Sequence, residues 1–143
     1  MTDDSPEPSP PLDGYTIYDP VDPFENLAGP FFWKRLEDGT NHLVLRADDK
    51  HCNRQGVVHG GLMLTMIDLA FAIGAKEHPD QRLVTISLSS EFVAAGEVGK
   101  LIEAKTEVVR KTRSLCFLRG QVLSEGAPLL NASCIYKYLR PRG

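Results

Sequence analysis

Asp68 is the residue of this 143-residue sequence whose surroundings most strongly suggest chemistry, because it is the only charged residue between Gly60 and Ala75. The segment is otherwise nearly all apolar, and this pattern predicts a helix that is buried on almost every side. An unpaired carboxylate in such a place costs several kcal/mol of folding free energy. Asp68 must therefore be paired, lie at a subunit contact, or act as a base or nucleophile.

The residues before this helix could hold a developing negative charge. His59 is followed directly by Gly60 and Gly61, and Asn53 lies six residues upstream of His59. The first N–H groups of a helix lack intrahelical partners, and glycine lets a ligand oxygen approach them closely. Such an end can act as the oxyanion hole for a carbonyl under attack. Taken alone, however, the His-Gly-Gly tripeptide is better explained as a tight joint between loop and helix.

The spacing of these groups restricts how they could cooperate. Asp68 lies eight residues beyond Gly60, which corresponds to about 12 Å along a helix. A base or nucleophile and an oxyanion donor must both lie within about 3 Å of one reacting centre. The two groups can meet only if a two-fold axis pairs two such helices antiparallel. A real site therefore requires at least a homodimer with two equivalent shared sites, and we favour a homotetramer.

Taken together, Asn53, His59-Gly60-Gly61 and Asp68 resemble the motif of the hotdog-fold acyl-CoA thioesterases, most closely the phenylacetate-pathway (PaaI-like) subfamily. The run Thr85-Ile86-Ser87-Leu88 with Phe92, and the turn Gly99-Lys100-Leu101, fit the same pattern. The resemblance covers approximately residues 24–139. It implies an α+β hotdog fold, in which a curved antiparallel β-sheet is wrapped around one long central helix.

The resemblance also implies a role for each residue of the motif. Asp68 would be the nucleophile or the general base that activates water against the thioester carbonyl. Gly60 would give its N–H to the thioester oxygen, and His59 would shape that pocket. Asn53 would position the water or the substrate, and the Thr85 hydroxyl would orient the carboxylate or the water. No cofactor or metal is needed, because a thioester has a good leaving group.

Two further residues are candidates for substrate binding. Gly61 shares the open helix end with Gly60. Arg113 lies in the turn 110–113, where its side chain could hold a coenzyme A phosphate. A solvated hairpin turn is an equally good explanation for this basic cluster. A metal site at His51, Cys52 and His59 is disfavoured, because no ligand spacing there is typical of one. Cys52 is also a poor nucleophile, since nothing in the sequence orients a base toward it.

The remaining chain supplies the elements that must position these groups. Residues 1–23 are rich in proline and acidic residues and predict a disordered tail, and residues 24–143 predict one domain. Pattern and turn residues predict a short helix near 22–27, the long helix at 60–76 and an antiparallel sheet. The predicted strands are 31–37 and 42–47, joined across an Asp-Gly turn, and then 83–94, 101–110, 115–124 and 128–139, which we expect to form a meander.

Composition excludes several classes of protein. The net charge of −3 gives no basic footprint for nucleic acid, and no apolar stretch is long enough for a membrane span. The three cysteines are widely spaced, as in reduced cytosolic proteins, and the N-terminus has no secretory signal pattern. We therefore expect a cytoplasmic acyl-CoA thioesterase. The alternatives are a hotdog protein that binds acyl-CoA without turnover and a hotdog hydratase or dehydratase.

Overall fold

The computed structural model describes residues 8–18 and 22–142, and its elements are seven strands and two α-helices. No helix in these two ranges is long and apolar enough to cross a membrane. The elements in chain order are β1 (Thr16–Ile17), α1 (Pro23–Ala28), β2 (Phe32–Arg35), β3 (Asn41–Arg46), a single 3₁₀ turn (Asp49–His51), α2 (Gly60–Ala75), β4 (Leu83–Phe92), β5 (Leu101–Lys111), β6 (Leu115–Ser124) and β7 (Ala127–Tyr138).

The strands form one antiparallel sheet in the order β1-β2-β3-β5-β6-β7-β4, and α2 packs across its inner face. Inward side chains of β3, β5, β6 and β7 join the buried side of α2 in one core. Fully buried residues of this core include Ile67 and Phe71 from α2, and Leu43, Ile102 and Leu118 from the sheet. This arrangement confirms the predicted sheet around one central helix.

One face of α2 stays open, whereas the sequence predicted burial on nearly every side. Met66, Ile67 and Ala70 are fully buried against the sheet. Gly61 is exposed, and Asp68 is half-buried. The physical reason is geometrical, because one curved sheet covers only part of the circumference of a helix. Asp68 is thus on the side of α2 that the described chain leaves accessible.

The position of β4 also differs from the predicted meander. Strands β5, β6 and β7 do follow one another, but β4 pairs with β7 at the far edge and makes no pairing with β5. Strand β5 instead pairs with β3, which continues the sheet in the other direction. Between β4 and β5 the chain passes the loop that leads into α2, where the N–H of Val58 donates to Gly96 and the N–H of Val98 donates to Gly56. Strand β4 therefore lies next to β7 at one edge of the sheet.

Part of the predicted tail is an ordered element. Thr16 and Ile17 pair with Trp33 and Phe32 of β2, so β1 extends the sheet at the edge opposite β4. The Tyr15 hydroxyl is hydrogen-bonded to Nδ1 of His42 on β3. Tyr15 and Ile17 therefore anchor this segment to the sheet. The high proline content of the segment had predicted disorder instead. Residues 1–7 and 19–21 of the predicted tail lie outside the described residues.

Gly120 on β6 tests how closely α2 approaches the sheet. A Cβ at this position would lie 2.5 Å from the backbone oxygen of Lys105 and 3.2 Å from Cδ1 of Ile67. We expect Gly120→Ala to lower the free energy of unfolding by about 1–3 kcal/mol, because the strand or the helix must shift. Urea denaturation followed by circular dichroism measures this difference.

Ser133→Ala, at an exposed position on the neighbouring strand, is the control for this measurement. Its effect should stay within about 0.5 kcal/mol. An unfolding midpoint for Gly120→Ala equal to that of the wild type would contradict the close packing of α2 on β6.

Candidate active site

Asp68 is hydrogen-bonded through one of its two carboxylate oxygens. The Thr85 hydroxyl donates to Oδ1 at 3.0 Å, and the Tyr136 hydroxyl lies 2.6 Å from the same oxygen. The Tyr136 hydroxyl is also 2.8 Å from the backbone carbonyl oxygen of Asp68. Within the described part of the chain, no hydrogen bond to Oδ2 is found. The carboxylate is therefore held by one oxygen, while the other is left for chemistry.

Strand pairing explains why these two hydroxyls meet at one carboxylate. Thr85 on β4 and Tyr136 on β7 are direct cross-strand partners, so their side chains leave the sheet on the same face. The register shifts between Thr85 and Ser87, which marks a local irregularity of β4 at this point. Irregularities of this kind re-aim side chains near functional sites.

Tyr136 is buried, with 2% of its surface exposed, and it remains a hydrogen-bond donor. Burial raises the pKa of its phenol, and the hydrogen bond to Asp68 adds to this effect. A phenol whose pKa is raised keeps its proton at any working pH of the protein. The sequence analysis missed this residue. The available signal was a tyrosine at an inward position of β7, because a buried tyrosine hydroxyl needs a partner.

The first turn of α2 offers one free backbone donor. His59 is the N-cap, and its Nδ1 accepts the Gly61 N–H at 2.8 Å. Its carbonyl oxygen accepts the N–H of Leu62 at 2.9 Å. The N–H of Gly60 has no hydrogen-bond partner among the described residues. Because Nδ1 is an acceptor, the neutral His59 ring carries its proton on Nε2, on an exposed side chain.

Gly60 and Gly61 consequently differ in what they can do. The N–H of Gly61 is already used by His59, so Gly60 provides the donor that a ligand could use. A Cβ on Gly61 would lie 3.0 Å from Nδ1 of His59, and one on Gly60 would lie 2.9 Å from Cε1 of Phe92. The two glycines thus let an imidazole and a phenyl ring close over the helix end.

Asn53 organises the loop that leads into α2. Its side-chain oxygen accepts the N–H of Gln55 at 2.9 Å and the N–H of Val57 at 3.2 Å. Gly56 completes the turn by donating its N–H to the Asn53 carbonyl at 3.0 Å. The amide NH₂ of Asn53 is left as the part of the side chain that could orient water or substrate.

His51 has a structural place next to this loop. Its Nδ1 accepts the Asp48 N–H at 2.9 Å, so Nε2 is the donor to the Ala28 carbonyl at 2.6 Å. The His51 carbonyl in turn accepts the N–H of His59. This histidine therefore ties α1 to the start of α2. Across residues 8–18 and 22–142, no group of three or more His, Cys, Asp or Glu side chains is arranged to hold a metal ion.

Within one chain, Arg113 lies near the C-terminal end of α2, far from Gly60 at its start. It belongs to the turn between β5 and β6, whose neighbouring Lys111 pairs with Glu77 at 2.6 Å, just past the C-terminal end of α2. The Arg113 side chain is exposed. Within one chain, Arg113 and Gly60 are therefore at opposite ends of the helix.

The cysteines are not poised as nucleophiles. Burial, followed by the nearby charge of Asp68, raises the pKa of Cys134 to about 12. The pKa of Cys52 is also raised, first by burial and then by Asp49 and Asp48. A raised pKa keeps both sulfurs as thiols at neutral pH, and the thiolate is the nucleophilic form.

The structure brings Asp68 and Thr85 together, and it keeps Gly60, His59 and Asn53 as a second group at the start of α2. The two groups are separated by about two turns of helix. Each adjoins its own cavity. One of about 380 Å³ reaches Asp68, and one of about 410 Å³ lies between α1 and the first turns of α2, against His59. Within one described chain, neither cavity contains both groups.

Comparison with known proteins identifies relatives of the whole arrangement. Residues 55–130 match the family model described as "Thioesterase superfamily". The relative named "Putative esterase PA0474", from Pseudomonas aeruginosa, is 34% identical over 118 residues, which are 80% of this chain and 87% of that protein.

Solved structures share the fold. Phenylacetic acid degradation protein PaaI from Thermus thermophilus, in a mutant form, superposes with a TM-score of 0.72 at 24% identity, covering 82% of this chain and all of that one. A hypothetical thioesterase protein from Streptococcus pneumoniae, solved with coenzyme A, gives a TM-score of 0.70 at 19% identity, covering 79% and 88% of the two chains. These similarities confirm the predicted hotdog architecture.

His59 provides a test of the helix end that does not depend on any activity. We expect His59→Ala to lower the free energy of unfolding by about 1 kcal/mol, because Gly61 loses its N-cap acceptor. His59→Asn should retain most of the stability, since asparagine is a strong N-cap. Chemical denaturation of both variants measures the difference. The exposed His78, replaced by alanine, is the control, and an equal loss there would contradict the capping role.

Proposed function

This chain belongs to the thioesterase superfamily, and on that premise we propose that it hydrolyses an acyl-CoA to a free carboxylic acid and coenzyme A. The observation that carries the proposal is the way in which the carboxylate of Asp68 is hydrogen-bonded. Its carboxylate is held through Oδ1 by two hydroxyls, and no described residue donates a hydrogen bond to Oδ2. The N–H of Gly60, which also has no partner among residues 8–18 and 22–142, supplies the second requirement of acyl transfer, a donor for an oxyanion.

The residues support a balanced reaction without a metal or cofactor. As a general base, Oδ2 of Asp68 would take a proton from water while the water oxygen attacks the thioester carbon. The carbonyl oxygen would become an oxyanion that accepts the Gly60 N–H. Collapse of the tetrahedral intermediate would break the carbon–sulfur bond, and the thiolate of coenzyme A would leave and take up the proton. Alternatively, Oδ2 attacks the thioester carbon, the carbon–sulfur bond breaks, and the thiolate of coenzyme A leaves an anhydride behind. Water then hydrolyses the anhydride to the free acid and the Asp68 carboxylate, and the proton released goes to the thiolate.

The proposed site is shared between two subunits. Gly60 and Asp68 lie on one continuous helix and cannot reach the same carbonyl, since about 12 Å separates them along its axis. A two-fold axis near Leu64, midway between them, would place Asp68 of one subunit beside Gly60, His59 and Asn53 of the other. Antiparallel α2 helices would also bring the end that carries Arg113 toward the partner's site, as binding of a coenzyme A phosphate requires.

Strand β4 offers the surface for such a pairing. It is a ten-residue edge strand with β7 on one side only. Val84, Ile86 and Phe92 on this strand are exposed to 43%, 55% and 54%. A long, apolar, uncovered edge is a template for pairing with a strand of another chain. The β4 edge of a second copy would cover it and would bring the open faces of the two α2 helices together. We propose a homodimer at minimum, or a homotetramer of such dimers, in the cytoplasm.

Asp68→Asn tests the central residue. We expect turnover to fall by at least about a hundredfold, because the amide cannot act as the base or form an anhydride. Release of free thiol is measured on phenylacetyl-, benzoyl- and short to long aliphatic acyl-CoAs. Asp38→Asn, in the exposed β2–β3 turn, is the control and should keep wild-type turnover. Near-normal turnover by a folded Asp68→Asn protein would remove the assignment.

The same assay separates the alternative functions. Wild-type protein that binds acyl-CoA saturably but releases no thiol would favour a binding protein. Consumption of an enoyl- or 3-hydroxyacyl-CoA without thiol release would favour a hydratase or dehydratase.

Mixed oligomers test whether the site is shared. Gly60→Pro removes the backbone donor at the first helical position, where proline is tolerated. Gly60→Ala is the control, because it also adds a Cβ against the Phe92 ring but keeps the N–H. We expect differently tagged Gly60→Pro and Asp68→Asn chains to be nearly inactive alone. Dimers containing one of each should regain about half of wild-type turnover, because one of the two sites is then intact. Mixed dimers as inactive as their parents would contradict a shared site.

A further inference from the structure

We propose that Tyr136 is the positioning residue that fixes the carboxylate of Asp68 in its reactive orientation. This inference deepens the proposed function and rests on it. Tyr136 contacts Asp68 rather than the reacting carbonyl, so its contribution acts through that carboxylate.

The geometry distinguishes Tyr136 from an ordinary buried tyrosine. Its hydroxyl is 2.8 Å from the backbone oxygen of Asp68 and 2.6 Å from Oδ1 of the same residue. One hydroxyl thus bridges the main chain and the side chain of a single residue. This bridge restrains the rotation of the carboxylate about its side-chain bonds.

Thr85 and Tyr136 contact the same oxygen, Oδ1 of Asp68, but they differ in their exposure to solvent. The Thr85 side chain lies on the exposed edge strand, whereas Tyr136 is packed beneath α2 with 2% of its surface exposed. Water can replace a threonine hydroxyl at an open edge far more easily than a buried phenol. A donor in low-dielectric surroundings also favours the charged carboxylate more strongly. Tyr136 is therefore the more persistent of the two contacts.

Tyr138 provides an internal comparison on the same strand. Its hydroxyl also donates to a carbonyl of α2, that of Ala75, at 2.7 Å. Tyr136→Phe and Tyr138→Phe each remove one hydroxyl and one hydrogen bond to the helix backbone. Only the first of these variants removes a donor from a carboxylate.

Steady-state kinetics on the wild type and both variants tests the proposal. For Tyr136→Phe we expect kcat to fall about tenfold with KM changed less than about twofold, since the lost contact orients the base and does not bind substrate. Tyr138→Phe should match the wild type in both kcat and KM.

The other charged groups around Asp68 are the same in all three proteins, so they cannot produce the difference in kcat. Those lining its cavity are Asp22, Glu25, Lys76, Asp80 and Arg82. A Tyr136→Phe variant with the kcat and KM of Tyr138→Phe would overturn the proposal.

A second measurement needs no activity. With tyrosine labelled by ¹³C at Cζ, the Tyr136 signal of the wild-type protein should move on acidification, while the Tyr138 signal should not. This movement should be absent in Asp68→Asn. A wild-type Tyr136 signal that stays in place on acidification would overturn the proposal, even if thiol release were observed. Absence of thiol release with the Tyr136 movement intact would instead count against the proposed function alone.

Discussion

The need to satisfy one carboxylate on the central helix shapes this whole site. Asp68 lies on the open face of α2 and is half-buried. Loss of hydration of its carboxylate there would be costly without hydrogen-bond donors. Two hydroxyls from the sheet supply those donors, and both go to Oδ1. Oδ1 anchors the group, while Oδ2 accepts no hydrogen bond from any residue that the structure describes. Stability and reactivity are thus divided between the two oxygens of a single side chain.

That division depends on sheet topology more than on the helix. Thr85 and Tyr136 are 51 residues apart in sequence, and they become neighbours only because β4 pairs with β7. Had β4 paired with β5, as a simple meander would require, Asp68 would have lost one donor. The same strand order leaves β4 as an exposed edge beside the site. The strand that helps to hold the carboxylate is therefore also the surface through which a second subunit could complete the site.

At the start of α2, the groups that need partners are backbone N–H donors. Each helix begins with N–H groups that have no partner inside the helix. His59 satisfies the N–H of Gly61 with its ring and, with its carbonyl, those of the residues just beyond. The donor of Gly60 has no partner in the described part of the chain, and His51 and Asn53 hold the loop that presents it. This donor and the Asp68 carboxylate lie on one rigid helix and cannot meet, which is the geometrical reason to expect a partner helix.

The sequence by itself determined the elements of this protein and the groups able to do chemistry. Hydrophobic periodicity and turn residues are local properties, so they located α2 and most strands to within a few residues. The lone charge at Asp68 and the pair of glycines after His59 stood out for the same reason. Only the tertiary structure decided that β4 pairs with β7 and that β1 is an ordered strand. It also decided that the N–H of Gly61 is hydrogen-bonded to His59 and that the Tyr136 hydroxyl is hydrogen-bonded to Asp68. These outcomes depend on contacts between residues distant in sequence, whose energies no local pattern records.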